Sequence, residues 1–367
     1  MPAPSKRWDI FCRVVDNYGD AGVAWRLARI LAREHGKRVR LLLDDVTVLS
    51  CLLPQVNAMA DSQTVQGVEI ARWSEGPWSA DDIADVVVET FGCDPPTRYV
   101  LAMIARQPRA RWINLEYLSA EDWVEGSHKL PSPNPTLPLV KHYFFPGFTA
   151  RTGGLLRERD LLARRDAFRA DATAQAAFWQ ALVGVTPSDD VLKVSLFAYP
   201  GAPVDAWIAA LAHANQLVWL VAPGAKPRES IGNVRFLPVP FLPQDRYDEL
   251  LWACDVNFVR GEDSFVRAQW AARPFVWHIY PQDEGAHWVK LEAFLARYAE
   301  GLERGDAALL TGLWESWNRG EAVQPSWGGF VARRQVLEAH ARAWCEGLAT
   351  RPDLAATLAD FADNVLK

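Results

Sequence analysis

The sequence predicts an α/β protein made of two successive Rossmann-like halves followed by helices. Three observations carry this. Apolar runs of strand length alternate with helical stretches from residue 8 to about residue 115. The alternation then breaks and restarts near Val191. Beyond about Gly285 the chain reads as nearly all helix. Such alternation marks a parallel sheet covered on both faces. A length of 367 residues agrees with two domains, and 50% apolar against 23% charged residues is an ordinary globular balance. Two halves of this kind predict domains facing across a cleft, with ligands outside the carboxyl ends of the strands. The expected division is 1–184, an N-terminal Rossmann-like domain; 185–350, a C-terminal one; and 351–367, a closing helix.

The first strand is 8–15. After it Val23, Leu27, Ile30 and Leu31 recur at the spacing of one helix face, so Asp16-Asn17-Tyr18-Gly19-Asp20-Ala21-Gly22 is a strand-to-helix turn. Asp20 is placed to cap a helix starting near Gly22. Further strands are read at 38–43, 67–72, 83–89 and 111–115, and Pro95 and Pro96 open a helix reaching about Arg106. Asp44, Asp45, Asp81 and Asp82 read as strand-end and helix-start residues. Residues 119–152 hold Pro131, Pro133, Pro135, Pro138 and Pro146, too many for regular elements. Two readings stand for that segment: a long functional loop, or an excursion packed on the first domain. A helical stretch at 171–183 precedes Gly184 and Pro187, where the boundary is expected.

The second half reads as strands at 191–197, 217–221, 234–237, 255–259 and 274–278, with helices at 204–214, 244–252 and 264–271. Composition excludes several classes. A formal net charge of −6 implies no general nucleic-acid surface. Five scattered cysteines without a Cys-x-x-Cys pair fit a reducing compartment. The first residues lack a signal core, and no apolar run reaches membrane-spanning length, so a cytoplasmic protein with no membrane partner is expected. No metal-ligand spacing stands out. The 17 tryptophans are read as core and surface filling, with sugar stacking as the alternative.

Two turns stand out chemically. In the first, Asp16 and Asp20 flank Gly19, and two acids so close repel unless a cation or proton donor sits between them. The Gly-x-Gly-x-x-Gly fingerprint of dinucleotide binding is absent, which disfavours a Rossmann oxidoreductase. Gly-x-Ser-x-Gly is absent too, so a nucleophile-elbow hydrolase lacks support. The second turn is Arg260-Gly261-Glu262-Asp263-Ser264, where a strand meets a helix. A helix N-terminus accommodates phosphate, Arg260 and Arg267 would add charge, and Ser264 a hydroxyl. Glu262 and Asp263 either cap that helix or hydrogen-bond sugar hydroxyls. Tyr199, and Phe241-Leu242-Pro243-Gln244 before a helix, are suitable walls for a nucleobase or plain loop packing. His278 and His287 are weak signals by themselves.

Together these residues resemble one family. The run Trp8-Asp9-Ile10-Phe11-Cys12, leading through Val15-Asp16-Asn17-Tyr18-Gly19-Asp20 to Trp25-Arg26-Leu27-Ala28-Arg29, is similar to the start of the bacterial protein-arginine rhamnosyltransferases that modify elongation factor P, the EarP family. Residues 260–270 and 274–280 resemble that family's donor-site segment, and 144–148 and 152–155 also fit. The likeness runs from about residue 8 to 300. It implies a GT-B fold and an inverting transfer of L-rhamnose from dTDP-β-L-rhamnose to one arginine of elongation factor P. No cofactor is implied beyond that donor substrate. On the family's pattern Asp20 is the general base, with Asp16 and Glu262 as further catalytic acids. Tyr199, Phe241, Leu242, Pro243, Gln244, Arg260, Gly261, Asp263 and Ser264 would bind the donor, joined by Asn17, Tyr18 and Gly19. The N-terminal domain would receive the acceptor. The runner-up is a GT-B transferase with another nucleotide sugar and a glycan or lipid acceptor; a binding protein without catalysis would have no use for both turns.

Overall fold

The computed structural model describes residues 6–365. Residues 1–5, read above as lacking a signal core, and residues 366–367 of the expected closing helix lie outside the described residues. The chain forms two compact units, Met1–Arg159 with Arg351–Lys367, and Asp160–Thr350.

In the first unit the elements run β1 (Arg7–Cys12), α1 (Asn17–His35), β2 (Arg38–Leu43), α2 (Val46–Leu52), β3 (Ser62–Val65), β4 (Val68–Arg72), β5 (Val86–Thr90), α3 (Thr97–Ala105), β6 (Arg111–Leu115), α4 (Trp123–Ser127), β7 (Pro131–Pro133) and β8 (Val140–Phe144). The sheet order is β3-β4-β2-β1-β5-β6-β8-β7, parallel except at its two edges. Its parallel part has the Rossmann order, with the reversal of strand order between β1 and β5. Central strands buried on both faces are mostly apolar, and all but the first residue of β1 is buried, its one acid, Asp9, accepting hydrogen bonds from Arg40 and Tyr99. Phe11, Leu42, Val87, Tyr99, Met103 and Trp112 form the core on one side of this sheet.

The second unit runs α5 (Leu161–Ala170), α6 (Ala172–Val183), β9 (Leu192–Leu196), α7 (Val204–Leu211), β10 (Val218–Pro223), β11 (Val234–Val239), α8 (Gln244–Ala253), β12 (Val256–Arg260), α9 (Asp263–Ala271), β13 (Phe275–His278), α10 (Ala286–Tyr298), α11 (Arg304–Arg319), α12 (Gln324–Ala332) and α13 (Arg334–Ala349). Its sheet is parallel throughout, ordered β11-β10-β9-β12-β13. Trp207, Trp314 and Trp317 are fully buried against Phe258 and Phe275, so these tryptophans are core. Last, α14 (Leu354–Asp360) returns to the first unit. No described helix is long and apolar enough to cross a membrane.

Four expectations are revised. The division falls at Asp160 rather than after residue 184, because α5 and α6 pack on the second unit: Arg165 Nη1 donates to Trp270 O (2.8 Å), and Trp179 meets Trp219 edge-on at 6.1 Å. Residues 351–365 are part of the first unit, not a separate element. The proline-rich segment supplies α4, β7 and β8 to the first unit. Pro131 and Pro133 are tolerated because β7 is an edge strand, where a missing N–H leaves no ladder partner unpaired. Finally, β3 and β4 form an unforeseen hairpin whose turn, Gln66-Gly67, has φ of 51° and 86°. That is the backbone a tight hairpin of the right twist requires.

Candidate active site

The first unit's site lies where β1 gives way to α1, at the carboxyl end of the strand beside the reversal of strand order. The helix begins at Asn17 rather than near Gly22, with Asp16 at the cap position, so Asp20 is inside the first turn and not the cap. Gly19 N donates to Asp16 O (2.7 Å) and closes the turn. The Asp20 carboxylate folds back, and its Oδ2 accepts from Val15 N (2.9 Å) and Asp16 N (2.8 Å). Tyr117, just past β6, gives it a third hydrogen bond from its hydroxyl. Asp20 is 2% exposed. Burial pushes its carboxyl above the ordinary aspartate range, and the nearby Asp44 adds to this; the two backbone N–H groups and the Tyr117 hydroxyl pull the other way.

Asp16 is also buried. A Cβ at Gly19 would stand 2.6 Å from Asp16 Oδ2, so the glycine makes room for that carboxylate. Asp16 and Asp20 share one turn at a positively polarised helix end, the Asp20 carboxylate reaching the Asp16 backbone N–H. Tyr18 is half-buried in the same turn; the Asn17 side chain lies outside the described residues. Asp45 caps α2 through Thr47 N (2.8 Å), and Asp44 accepts from Val14 N (2.9 Å).

In the second unit, residues past three strand ends converge. The Arg260 guanidinium lies 4.3 Å from the Phe197 ring centroid and 4.6 Å from that of Tyr199. Two aromatic faces thus hold the cation at the start of the turn into α9. Phe241 meets Phe197 edge-on at 6.0 Å. Leu242 and Pro243 lead into α8, whose first residue, Gln244, donates from Nε2 to Asp263 Oδ2 (3.0 Å). The turn itself needs Gly261: its φ is +61°, and Trp277 Nε1 donates to its carbonyl (2.8 Å). Ser264 Oγ accepts from Arg260 N (3.0 Å) and donates to Arg260 O, so it orders the turn. Glu262, at the cap position of α9, makes no side-chain cap hydrogen bond.

Arg267 departs from expectation. It points away from the turn and forms a bidentate ion pair with Asp248, Nε–Oδ1 2.8 Å and Nη2–Oδ2 2.6 Å, with both side chains 1% exposed. His278 Nδ1 accepts from Tyr199 N (3.2 Å). Burial, then the charge of Arg260, lowers its pKa to about 4, so it is a neutral acceptor near neutral pH. His287 Nδ1 accepts from Gln282 N (3.1 Å). Sequence reasoning missed Tyr117 and Phe197. The available signal was positional: each aromatic stands just beyond a strand's carboxyl end, like the residues that were singled out. Among the described residues no group of three or more His, Cys, Asp or Glu is placed to hold a metal ion.

Two Rossmann-like units, one with two buried acids past a strand end and the other with a cation–aromatic cradle at a helix N-terminus, fit the GT-B class of glycosyltransferase. A glycosyltransferase from Rickettsia africae shares the fold, with a TM-score of 0.54 over 100% of both chains at 9% identity. Family comparison goes further: the model for the elongation-factor P (EF-P) rhamnosyltransferase EarP matches residues 8–363, and the chain belongs to that family. A protein-arginine rhamnosyltransferase from Pseudomonas putida is 49% identical, covering 98% of this chain and 99% of its own. One from Pseudomonas aeruginosa is 43% identical, covering 96% and 98%. A solved structure described as the structural basis for EarP-mediated arginine glycosylation of translation elongation factor EF-P matches with a TM-score of 0.69. It shares 36% identity and covers 99% of this chain and 100% of that one.

Proposed function

We propose that the protein transfers L-rhamnose from dTDP-β-L-rhamnose to an arginine side chain of EF-P in the cytoplasm, with inversion at the sugar. The observation that carries this is Asp20: a buried carboxylate held by three donors in the same turn as Asp16, two acids whose charge favours a cationic acceptor. A hydroxyl acceptor needs no such pair.

Arginine is a poor nucleophile because its guanidinium stays protonated. The gap between its pKa near 13.8 and an aspartate near 3.9 is about 10 units, or ~13 kcal/mol. Asp20 therefore cannot deprotonate it beforehand. The guanidine nitrogen attacks the anomeric carbon from the face opposite the diphosphate, the C–O bond to dTDP breaks, and the nitrogen's proton passes to Asp20 as its acidity rises. The upward push on the Asp20 carboxyl helps it accept that proton. Asp16 orients the guanidinium, and Glu262 serves the same reaction as a further acid. In the second unit Arg260 and the backbone N–H groups at the start of α9 stabilise the departing diphosphate. Tyr199 and the Phe241–Gln244 loop flank the base and ribose.

The test is direct. Incubation with EF-P and dTDP-L-rhamnose should give a deoxyhexose on arginine by mass spectrometry. Asp20→Asn should lower turnover on the order of 10²–10⁴-fold with dTDP affinity retained. No adduct with both proteins folded defeats the proposal; a fully active Asp20→Asn defeats the base assignment.

A further inference from the structure

The base at Asp20 rests on a support that begins on the neighbouring strand. At the end of β5 the chain turns through Phe91 (φ +60°), Gly92 (+63°) and Asp94 (+49°). Two non-glycine residues in the left-handed region within four positions is stored strain, and such strain clusters at functional sites. The turn is pinned from β6: Phe91 N donates to Leu115 O (2.7 Å), and Gly92 N to Asn114 Oδ1 (3.1 Å). Asn114, buried, donates onward to Glu116 Oε1 (2.6 Å). The outcome is a ring stack. Phe91 lies parallel to Tyr117 with centroids 4.2 Å apart and planes 11° apart. The stacked tyrosine is the one whose hydroxyl reaches Asp20.

We propose that Tyr117 is a positioning residue for proton transfer, its hydroxyl fixing the direction in which Asp20 accepts the proton, and that the strained turn at Phe91 sets Tyr117 in place. An ionised carboxylate offers about four lone-pair directions. Val15 N, Asp16 N and the Tyr117 hydroxyl take three of them. The fourth is where the acceptor's proton arrives. Without Tyr117 two directions compete and the ionised form loses a donor. Among the described residues the Cys12 thiol from β1 and Asp44 after β2 also face Asp20, and Asp16 shares its turn. Burial keeps the Cys12 thiol protonated, so Tyr117 is the side-chain donor that favours the charged base.

The inference rests on Asp20 being the base. Tyr117→Phe keeps the ring and removes the donor. Its kcat should fall on the order of tenfold, the weight of a hydrogen bond to a charged group. The acid limb of its kcat–pH profile should move to higher pH, while KM for EF-P and the affinity for dTDP stay as in the parent. Phe91→Leu, which removes the stack, should shift the limb the same way by less. A structural role alone would change stability without moving the limb. An unmoved acid limb with kcat within twofold of the parent overturns the proposal while leaving the base assignment intact, provided Asp20→Asn is inactive. An active Asp20→Asn overturns both.

Discussion

Arg260 is oriented by the faces of Phe197 and Tyr199, so the grip on a diphosphate proposed for it would depend on residues that need not touch the ligand. A cation–π contact is worth about 0.5–2 kcal/mol, so Phe197→Ala should weaken dTDP binding between about 2- and 30-fold in a calorimetric titration. Unchanged affinity would mean the guanidinium is held otherwise. Gly19 offers the opposite separation, of activity from stability. Gly19→Ala places a methyl 2.6 Å from the original Asp16 Oδ2 position and displaces that carboxylate. Turnover should fall steeply, yet alanine favours helix by about 1 kcal/mol, so the melting temperature should hold or rise. Asp16, Asp20 and Arg260 were legible in the sequence because charge beside glycine at a strand end is conspicuous. Phe197 and Tyr117 were not: an aromatic just past a strand looks like packing until the fold shows which ion it lies against. Arg267 misled for the same reason, since its partner Asp248 is on another helix.

That pair ties α8 to α9, the two helices whose N-termini frame the second unit's site. Asp248→Ala removes the carboxylate from a buried guanidinium and should cost about 3–5 kcal/mol by denaturant unfolding. A loss under 1 kcal/mol would show that the pair adapts. The register of β13 with β12 sets a second element-level property by placing His278 under Tyr199. Its pKa is about 4 in the folded chain against 6.5 ordinarily. Between those values the unfolded chain holds the extra proton, so stability is full above about pH 6.5 and falls as pH drops towards 4, by roughly 3 kcal/mol. His278→Gln should flatten that limb of a stability–pH curve; an unchanged slope would assign it elsewhere. Most strands and helices could be read from apolar period alone. The strands that escaped were β3, β7 and β8, whose strand character comes from an edge position or a neighbour's ladder, not from their own composition; helices α4 and α5 escaped too.

At the scale of the molecule, the first unit is not finished until residues 351–365 dock on it. Leu354, Leu358 and Phe361 are buried in it, Leu354 N donates to Leu155 O (3.0 Å), and Asp363 pairs with Lys6 (2.8 Å) and Lys37 (2.5 Å). Burying three such side chains contributes roughly 5–9 kcal/mol, comparable with the whole stability of a domain. A chain ending at Thr350 should therefore lose the first unit's calorimetric transition, or show it lowered by more than about 10 °C, and keep the second unit's. Two unchanged transitions would make the tail dispensable. The domain boundary was misread because helices α5 and α6 carry no label in sequence saying which sheet they cover. This arrangement also sets an order on synthesis. A growing chain emerges amino end first, and domains generally fold as units as they appear. Residues 160–350 form one continuous unit that is complete in the chain before residue 351 is added. The part that carries Asp20 is translated early but completed late, so a chain cut before Leu354 would hold a folded second unit beside an unfinished first one.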